Sequence, residues 1–188
     1  GDFYWWRKVD QTMHIAIIDC TGHGVPGAIM SVLAYHLFQQ WIEINPDGSP
    51  AECLTDIHNS VRRYLKQDRE DTALDGMDVA YFQIDLKTGK LKYAGARRPL
   101  WIMRKGEWID LEPTRKSIGG RATEEIQFET RSMILHHGDR IFTFTDGVTD
   151  QFGGARKRKY TPLRLRELLQ NTQDNTLQQA EIDVVQEM

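Results

Sequence analysis

Three carboxylates and one histidine carry the chemistry that can be read from this sequence. Residues 3–8 and 13–19 have strand character, and Asp10-Gln11 lies where a turn is needed. A turn centred there sets Asp2 opposite Asp19 across an antiparallel pair, where side chains stand about 4.5–5.5 Å apart and like charges repel. A divalent cation relieves that repulsion, because hard ions such as Mg²⁺ and Mn²⁺ prefer carboxylate, carbonyl and water oxygens. A register shifted by one or two residues would instead leave both carboxylates solvated at a strand end. Asp146 is the third candidate: it follows the apolar run 141–145 and precedes Gly147, a position that also suits a plain turn former. His23, inside Gly22-His23-Gly24, is either a general acid or a residue that orients the turn or caps the next helix. Gly22 and Gly24 permit positive φ and close backbone approach there. Asp78, at the mouth of a strand, and Asp150 read as supporting or structural carboxylates rather than ligands.

The elements that position these groups follow from periodicity. After the first hairpin, Pro26 suits the first residue of a helix, and Val25, Ala28, Ile29, Val32, Leu33 and Leu37 repeat at helical spacing until Asn45-Pro46. Ser49-Pro50-Ala51-Glu52 resembles a capping box opening a second helix, with Leu54, Ile57, Val61, Tyr64 and Leu65 on one face. From Val79 the period becomes that of strands: 79–84 with 91–94, then 101–103 with 108–111, form hairpins. Ile126-Gln127-Phe128-Glu129 alternates, and 141–145 reads as a strand ending at Asp146. Helical spacing returns over 162–169 and 176–188. The expected fold class is α+β, a layered antiparallel sheet structure with helices packed outside. Trp5, Trp6, Trp101 and Trp108 are expected to pack on sheet faces.

The 188 residues, 40% apolar and 27% charged, suit one domain with its own core and exclude a disordered tail or a collagen-like repeat. A formal charge of -3 gives no field for steering onto nucleic acid or an anionic membrane. Cys20 and Cys53 form no disulfide framework, which favours a reducing compartment. The uncharged stretch 20–42 is long enough to consider as a membrane span, but Gly22, His23, Gly24, Pro26, Gln39 and Gln40 interrupt it. Arg156-Lys157-Arg158-Lys159, just after the Asp146 loop, is a solvated flap or a contact for a phosphoprotein. His136-His137 reads as turn chemistry ahead of Gly138.

Six short motifs occur in a telling order. They are Gly1-Asp2-Phe3-Tyr4, the run from Asp19-Cys20-Thr21-Gly22-His23-Gly24 to Val25-Pro26, Gly76-Met77-Asp78, Tyr93-Ala94-Gly95, Ser117-Ile118-Gly119, and Gly138-Asp139 with Thr145-Asp146-Gly147-Val148-Thr149-Asp150. Together, over nearly the whole chain, they resemble the bacterial SpoIIE-like branch of the PPM-type (type 2C) metal-dependent serine/threonine phosphatases. The resemblance implies a central antiparallel β-sandwich flanked by helices, with two Mn²⁺ or Mg²⁺ ions at one end. Asp2, Asp19 and Asp146 would be metal ligands, and Cys20 would add its backbone carbonyl. Hydrolysis of phosphoserine or phosphothreonine by metal-activated water would follow, without a phosphoenzyme.

The resemblance further implies a phosphorylated, anti-anti-sigma-like regulatory protein as substrate and an upstream sensor domain in the full-length protein. The setting would be cytoplasmic, including as the output domain of a membrane-anchored sensor. Family members also carry a strand ahead of Gly-Asp and a last strand with an Asp-Asp pair. Neither has a counterpart here and Asp183 sits at helical spacing, so residues 1–188 are expected to be a single domain truncated at both ends, short of one carboxylate of the second ion. That departure keeps a second expectation open, a catalytically inactive module that binds a regulatory partner. The segment 144–150 superficially resembles the D-x-D-G-T motif of haloacid-dehalogenase-type phosphatases, but Phe144 stands where that chemistry needs its nucleophilic Asp.

Overall fold

Strand alternation in this chain builds two main antiparallel sheets, each with one face against the other sheet and one face covered by helices, beside a short two-stranded antiparallel ribbon. The computed structural model describes residues 1–67, 75–120, 126–153 and 158–187. In chain order the elements are β1 (Asp2–Val9), β2 (Thr12–Cys20), α1 (Gly24–Ile44), α2 (Pro50–Tyr64), β3 (Gly76–Asp85), β4 (Lys90–Ala96), β5 (Leu100–Arg104) and β6 (Glu107–Leu111). There follow β7 (Ile118–Gly119), β8 (Arg131–Ile134), β9 (Arg140–Phe142), α3 (Asp146–Thr149), β10 (Phe152–Gly153), β11 (Arg158–Lys159), α4 (Pro162–Asn171) and α5 (Leu177–Glu187). The large sheet runs β1-β2-β3-β4-β8 with β7 beside β3, and the small one runs β6-β5-β9.

Residue parity assigns the layers. Trp5, Ala16, Ile18, Val79 and Tyr81 share one core with Phe38 and Trp41 of α1 and Leu54 and Ile57 of α2. The opposite parity, Ala80, Phe82, Leu91 and Tyr93, packs between the sheets against Leu100 and Ile102. Trp101, on the outer face of the small sheet, packs with Tyr160 and with Leu165 and Leu169 of α4. Each fully buried aliphatic or aromatic side chain contributes about 1.5–3 kcal/mol, so the layers hold chiefly by burial. This is the expected α+β sandwich with helices outside.

Local chemistry sets the ends of the elements. Asp10 takes a left-handed φ of 49° in the β1–β2 turn, which a short polar side chain tolerates better than a branched one. That turn fixes the register running from Val9 opposite Thr12 to Asp2 opposite Asp19. Ser49 and Glu52 form a complete capping box: the Ser49 hydroxyl accepts from the Glu52 amide, and the Glu52 carboxylate accepts from the Ser49 amide at 2.7 Å. Within the helix-side core, buried His14 places Nδ1 2.8 Å from the Tyr81 hydroxyl, and Gln83 donates to that hydroxyl.

Several expectations are corrected. Helix α1 begins at Gly24 rather than Pro26, since proline's missing N–H is tolerated anywhere in a first turn. Its buried face is Gly27, Met30, Ala34, Leu37, Phe38, Trp41 and Ile42, while Val25, Ile29 and Val32 are exposed. The helix is apolar nearly all round, so spacing alone does not select the face; packing of Phe38 and Trp41 against the sheet does. Tyr64 and Trp6 are likewise exposed, Trp6 because it points away from the helices on the edge strand. Residues 126–130 form no strand, and the strand expected over 141–145 stops at Phe142, where pairing with β5 ends. Both cysteines are buried free thiols. Among the described residues, no helix is long and apolar enough to cross a membrane. Arg156 and Lys157 lie outside the described residues, and Lys159 pairs with Asp150 at 3.0 Å.

Candidate metal centre

The register that sets Asp2 opposite Asp19 continues across the sheet, since Asp19 in turn faces Asp78 on β3. Facing residues share a side, so the three carboxylates project from one end of the large sheet toward the small sheet. Asp146 arrives from the other layer, on the first turn of α3 just beyond β9. One carboxylate oxygen each from Asp2, Asp19 and Asp146 lies within 4.8 Å of the others. Gly147 makes this approach possible: a Cβ there would stand 3.2 Å from Asp2 Oδ2. Gly147 is thus a spacer between the Asp2 and Asp146 carboxylates.

The β2–α1 turn closes the site from below. Gly22 and Gly24 have φ of 89° and 64°, values that favour glycine, and Gly27 packs so tightly on the turn that a Cβ would lie 2.7 Å from the Gly22 carbonyl oxygen. The Cys20 carbonyl accepts from the Gly1 amino group at 3.3 Å while its side chain is buried. Thr21 ties the turn to β3, donating its amide to the Gly76 carbonyl at 2.9 Å and accepting the Gly76 amide on its hydroxyl at 2.8 Å. His23 occupies the N-cap position of α1, exposed, with no side-chain capping bond, which removes helix capping as its role.

Electrostatics at the centre are dominated by Arg98, a residue that sequence reasoning passed over. From the β4–β5 turn its guanidinium pairs with Asp19, reaches Asp146 at 3.1 Å and stands 3.7 Å from Asp78. Arg97 Nε lies 3.6 Å from Asp78, and the Ser117 hydroxyl donates to Asp78 at 2.6 Å. Asp78 therefore gathers Arg97, Arg98 and Ser117 beside the cluster, and Asp183 is elsewhere, bonded to Asn175 and Gln179. Burial pushes the Asp19 carboxyl up to about 6; Arg98 opposes this, and the Asp2 and Asp146 charges reinforce it. Burial acts to lower the Arg98 pKa, and the carboxylates of Asp146, Asp19 and Asp78 reverse that and hold it above its ordinary value. No signal in the sequence marked Arg98 beyond its position in a turn at the same sheet end.

The donor set fits a hard divalent cation. All three converging groups are carboxylate oxygens, the donor type that Mg²⁺ and Mn²⁺ prefer, gathered within 4.8 Å of one another. Asp2 and Asp146 are exposed, so the centre is open to a substrate from solvent.

Comparison with known proteins agrees with this geometry. The family model for stage II sporulation protein E (SpoIIE) matches residues 9–188. Phosphoserine phosphatase RsbP of Bacillus subtilis (strain 168) is 28% identical over 153 residues, covering 80% of this chain and 36% of that protein. Phosphoserine phosphatase RsbU of the same organism is 27% identical over 157 residues, covering 80% and 43%. The chain thus spans about two-fifths of the length of these relatives. Among solved structures, the SiaA-PP2C domain of Pseudomonas aeruginosa superposes with a TM-score of 0.85 at 29% identity, covering 98% of this chain and 72% of that one. The PP2C phosphatase domain of SpoIIE from Bacillus subtilis shares the fold, with a TM-score of 0.73 at 18% identity, covering 100% and 52%. Motifs, sheet architecture and family match coincide: the chain belongs to the SpoIIE family, within the PPM-type (type 2C) phosphatases.

Proposed function

We propose that this domain removes phosphate from phosphoserine or phosphothreonine on a bacterial signalling protein, with Asp2, Asp19 and Asp146 holding Mn²⁺ or Mg²⁺. The observation that carries this reading is the convergence of those three carboxylates, two from adjacent strands of the large sheet and one from the first turn of α3. The Cys20 carbonyl is a further oxygen ligand in this reading, and the complete centre takes two ions. Such ions, when bound, supply a water of lowered pKa and positive charge for the phosphoryl oxygens. The chain's own residues do the rest. Asp19 and Asp2 fix the position of the charge from adjacent strands, Asp146 brings the second layer to it, and His23, exposed on the neighbouring turn, is the candidate to give a proton to the departing serine oxygen.

The substrate in this reading is a phosphorylated, anti-anti-sigma-like regulatory protein, supported by the names of RsbP and RsbU as phosphoserine phosphatases. A cytoplasmic setting, an upstream sensor domain and residues 1–188 as one domain of a longer protein belong to the same proposal. The test is Mn²⁺-dependent phosphate release from such a phosphoprotein by the full-length protein. Release abolished in Asp19→Ala supports the reading, and equal rates for the two proteins would sink it.

A second reading, a phosphatase-like module that only docks its partner, draws on Arg98, whose guanidinium already sits among the carboxylates. Absence of any Mn²⁺ binding by the full-length protein, with partner binding retained, would favour it.

A further inference from the structure

Arg98 is held unlike an ordinary surface ion pair. Its amide donates to the Ala96 carbonyl at 2.8 Å, its carbonyl accepts from the Tyr93 hydroxyl, Pro99 follows it, and Arg97 before it has a left-handed φ of 59°. The backbone is pinned, so any movement belongs to the side chain. That side chain is only 13% exposed, yet its buried Nε has no hydrogen-bond partner. A buried donor without an acceptor is unfavourable, so the pose depends on the charge of the carboxylates around Nη2.

We propose that Arg98 is the resident counter-cation of the carboxylate centre and competes with the divalent cation for Asp19 and Asp146. The inference rests on the metal-centre reading above. Two of the three converging carboxylates are the ones Arg98 engages, so guanidinium and ion draw on the same negative charge. Four carboxylates face two guanidinium groups here, Asp2, Asp19, Asp78 and Asp146 against Arg97 and Arg98, and the excess negative charge is what draws a cation in. A doubly charged ion with short oxygen bonds outcompetes one delocalised charge at this position. Asp78 lies outside the converging trio, and the guanidinium is already 3.7 Å from it. Asp78 is therefore the anion that receives Arg98 when Asp19 and Asp146 are given up, and the Ser117 hydroxyl holds its carboxylate in place. Arg98 is a positioning residue in this sense: it keeps the ligands gathered and sets the affinity of the centre.

The test is calorimetric titration of Mn²⁺ into the full-length protein and its Arg98→Met and Arg98→Gln variants at one pH and ionic strength, with circular dichroism to establish folding. Removing the competing charge is expected to tighten Mn²⁺ binding by about ten-fold. The same variants should melt at lower temperature without divalent ions and gain more than wild type when Mn²⁺ is added. In the wild type, Mg²⁺ should shift the Arg98 Nε–H nuclear magnetic resonance and leave unmoved that of Arg104, which is paired with Asp139. This last measurement needs no variant to fold. Unchanged or weaker Mn²⁺ binding in a folded variant, or an Arg98 resonance indifferent to Mg²⁺ that the protein binds, overturns the proposal. No Mn²⁺ binding by the wild type overturns the metal-centre reading itself and the proposal with it.

Discussion

Asp2 and Asp19 face each other directly across the β1–β2 pair, two carboxylates set opposite one another at the open end of the hairpin that turns at Asp10-Gln11. Opposed like charges cost stability, and here the cost is concentrated at the point where Asp146 adds a third. The arrangement is a poor one for an ion-free protein and a good one for a divalent cation. Replacing Asp2 with Asn should therefore raise the ion-free stability by about 0.5–1 kcal/mol while removing the stabilisation that Mn²⁺ confers. Thermal melts with and without chelator check both halves of the expectation.

Gly147 yields a separate expectation. A Cβ at this position meets Asp2 Oδ2 at 3.2 Å, and the carboxylate must shift by a few tenths of an ångström to admit it. Gly147→Ala should weaken Mn²⁺ affinity by about ten-fold, with urea stability changed by under about 0.5 kcal/mol. Loss of stability with unchanged affinity would show that the glycine serves the chain turn alone.

Buried His14 makes stability depend on pH. Burial, helped by the Arg7 charge, lowers its pKa to about 4. The unfolded chain, with an ordinary value of about 6.5, binds the proton more readily, so this contribution is fully present above about 6.5 and is lost as pH falls toward 4. Between pH 7 and pH 5 the loss is about 2 kcal/mol. Urea denaturation at the two pH values should show a smaller difference in His14→Gln than in wild type.

The outer helix α4 is fastened to the small sheet by Arg166. Its guanidinium lies 4.1 Å from the Trp101 ring centre and 5.4 Å from that of Trp108, and it pairs with Asp110 at 2.6 Å. Arg166→Ala should lower stability by about 1–2 kcal/mol and shift tryptophan fluorescence, with Arg166→Lys intermediate.

Much of this was legible in the sequence, for identifiable reasons. The turn at Asp10-Gln11 fixed which residues of the first hairpin face each other, so Asp2 and Asp19 could be paired from spacing. Ser49 and Glu52 announced the start of α2 because their side chains satisfy the first amides of a helix. The buried face of α1 was not legible, since Val25, Ile29 and Val32 are as apolar as the residues that are buried, and only packing against the sheet decides between the two faces. The end of β9 depended on pairing with β5, which local propensity does not contain. Arg98 was invisible for the same reason: its function comes from where the β4–β5 turn sits relative to Asp19 and Asp146, a long-range relation.

The central claim is that Asp2, Asp19 and Asp146 together hold the cation on which the phosphatase chemistry depends. Electron paramagnetic resonance of free Mn²⁺ titrated with the full-length protein tests it most directly. The wild type should deplete the free-ion signal, while Asp2→Ala, Asp19→Ala and Asp146→Ala should leave it standing. Equal depletion by the wild type and all three variants would contradict the account.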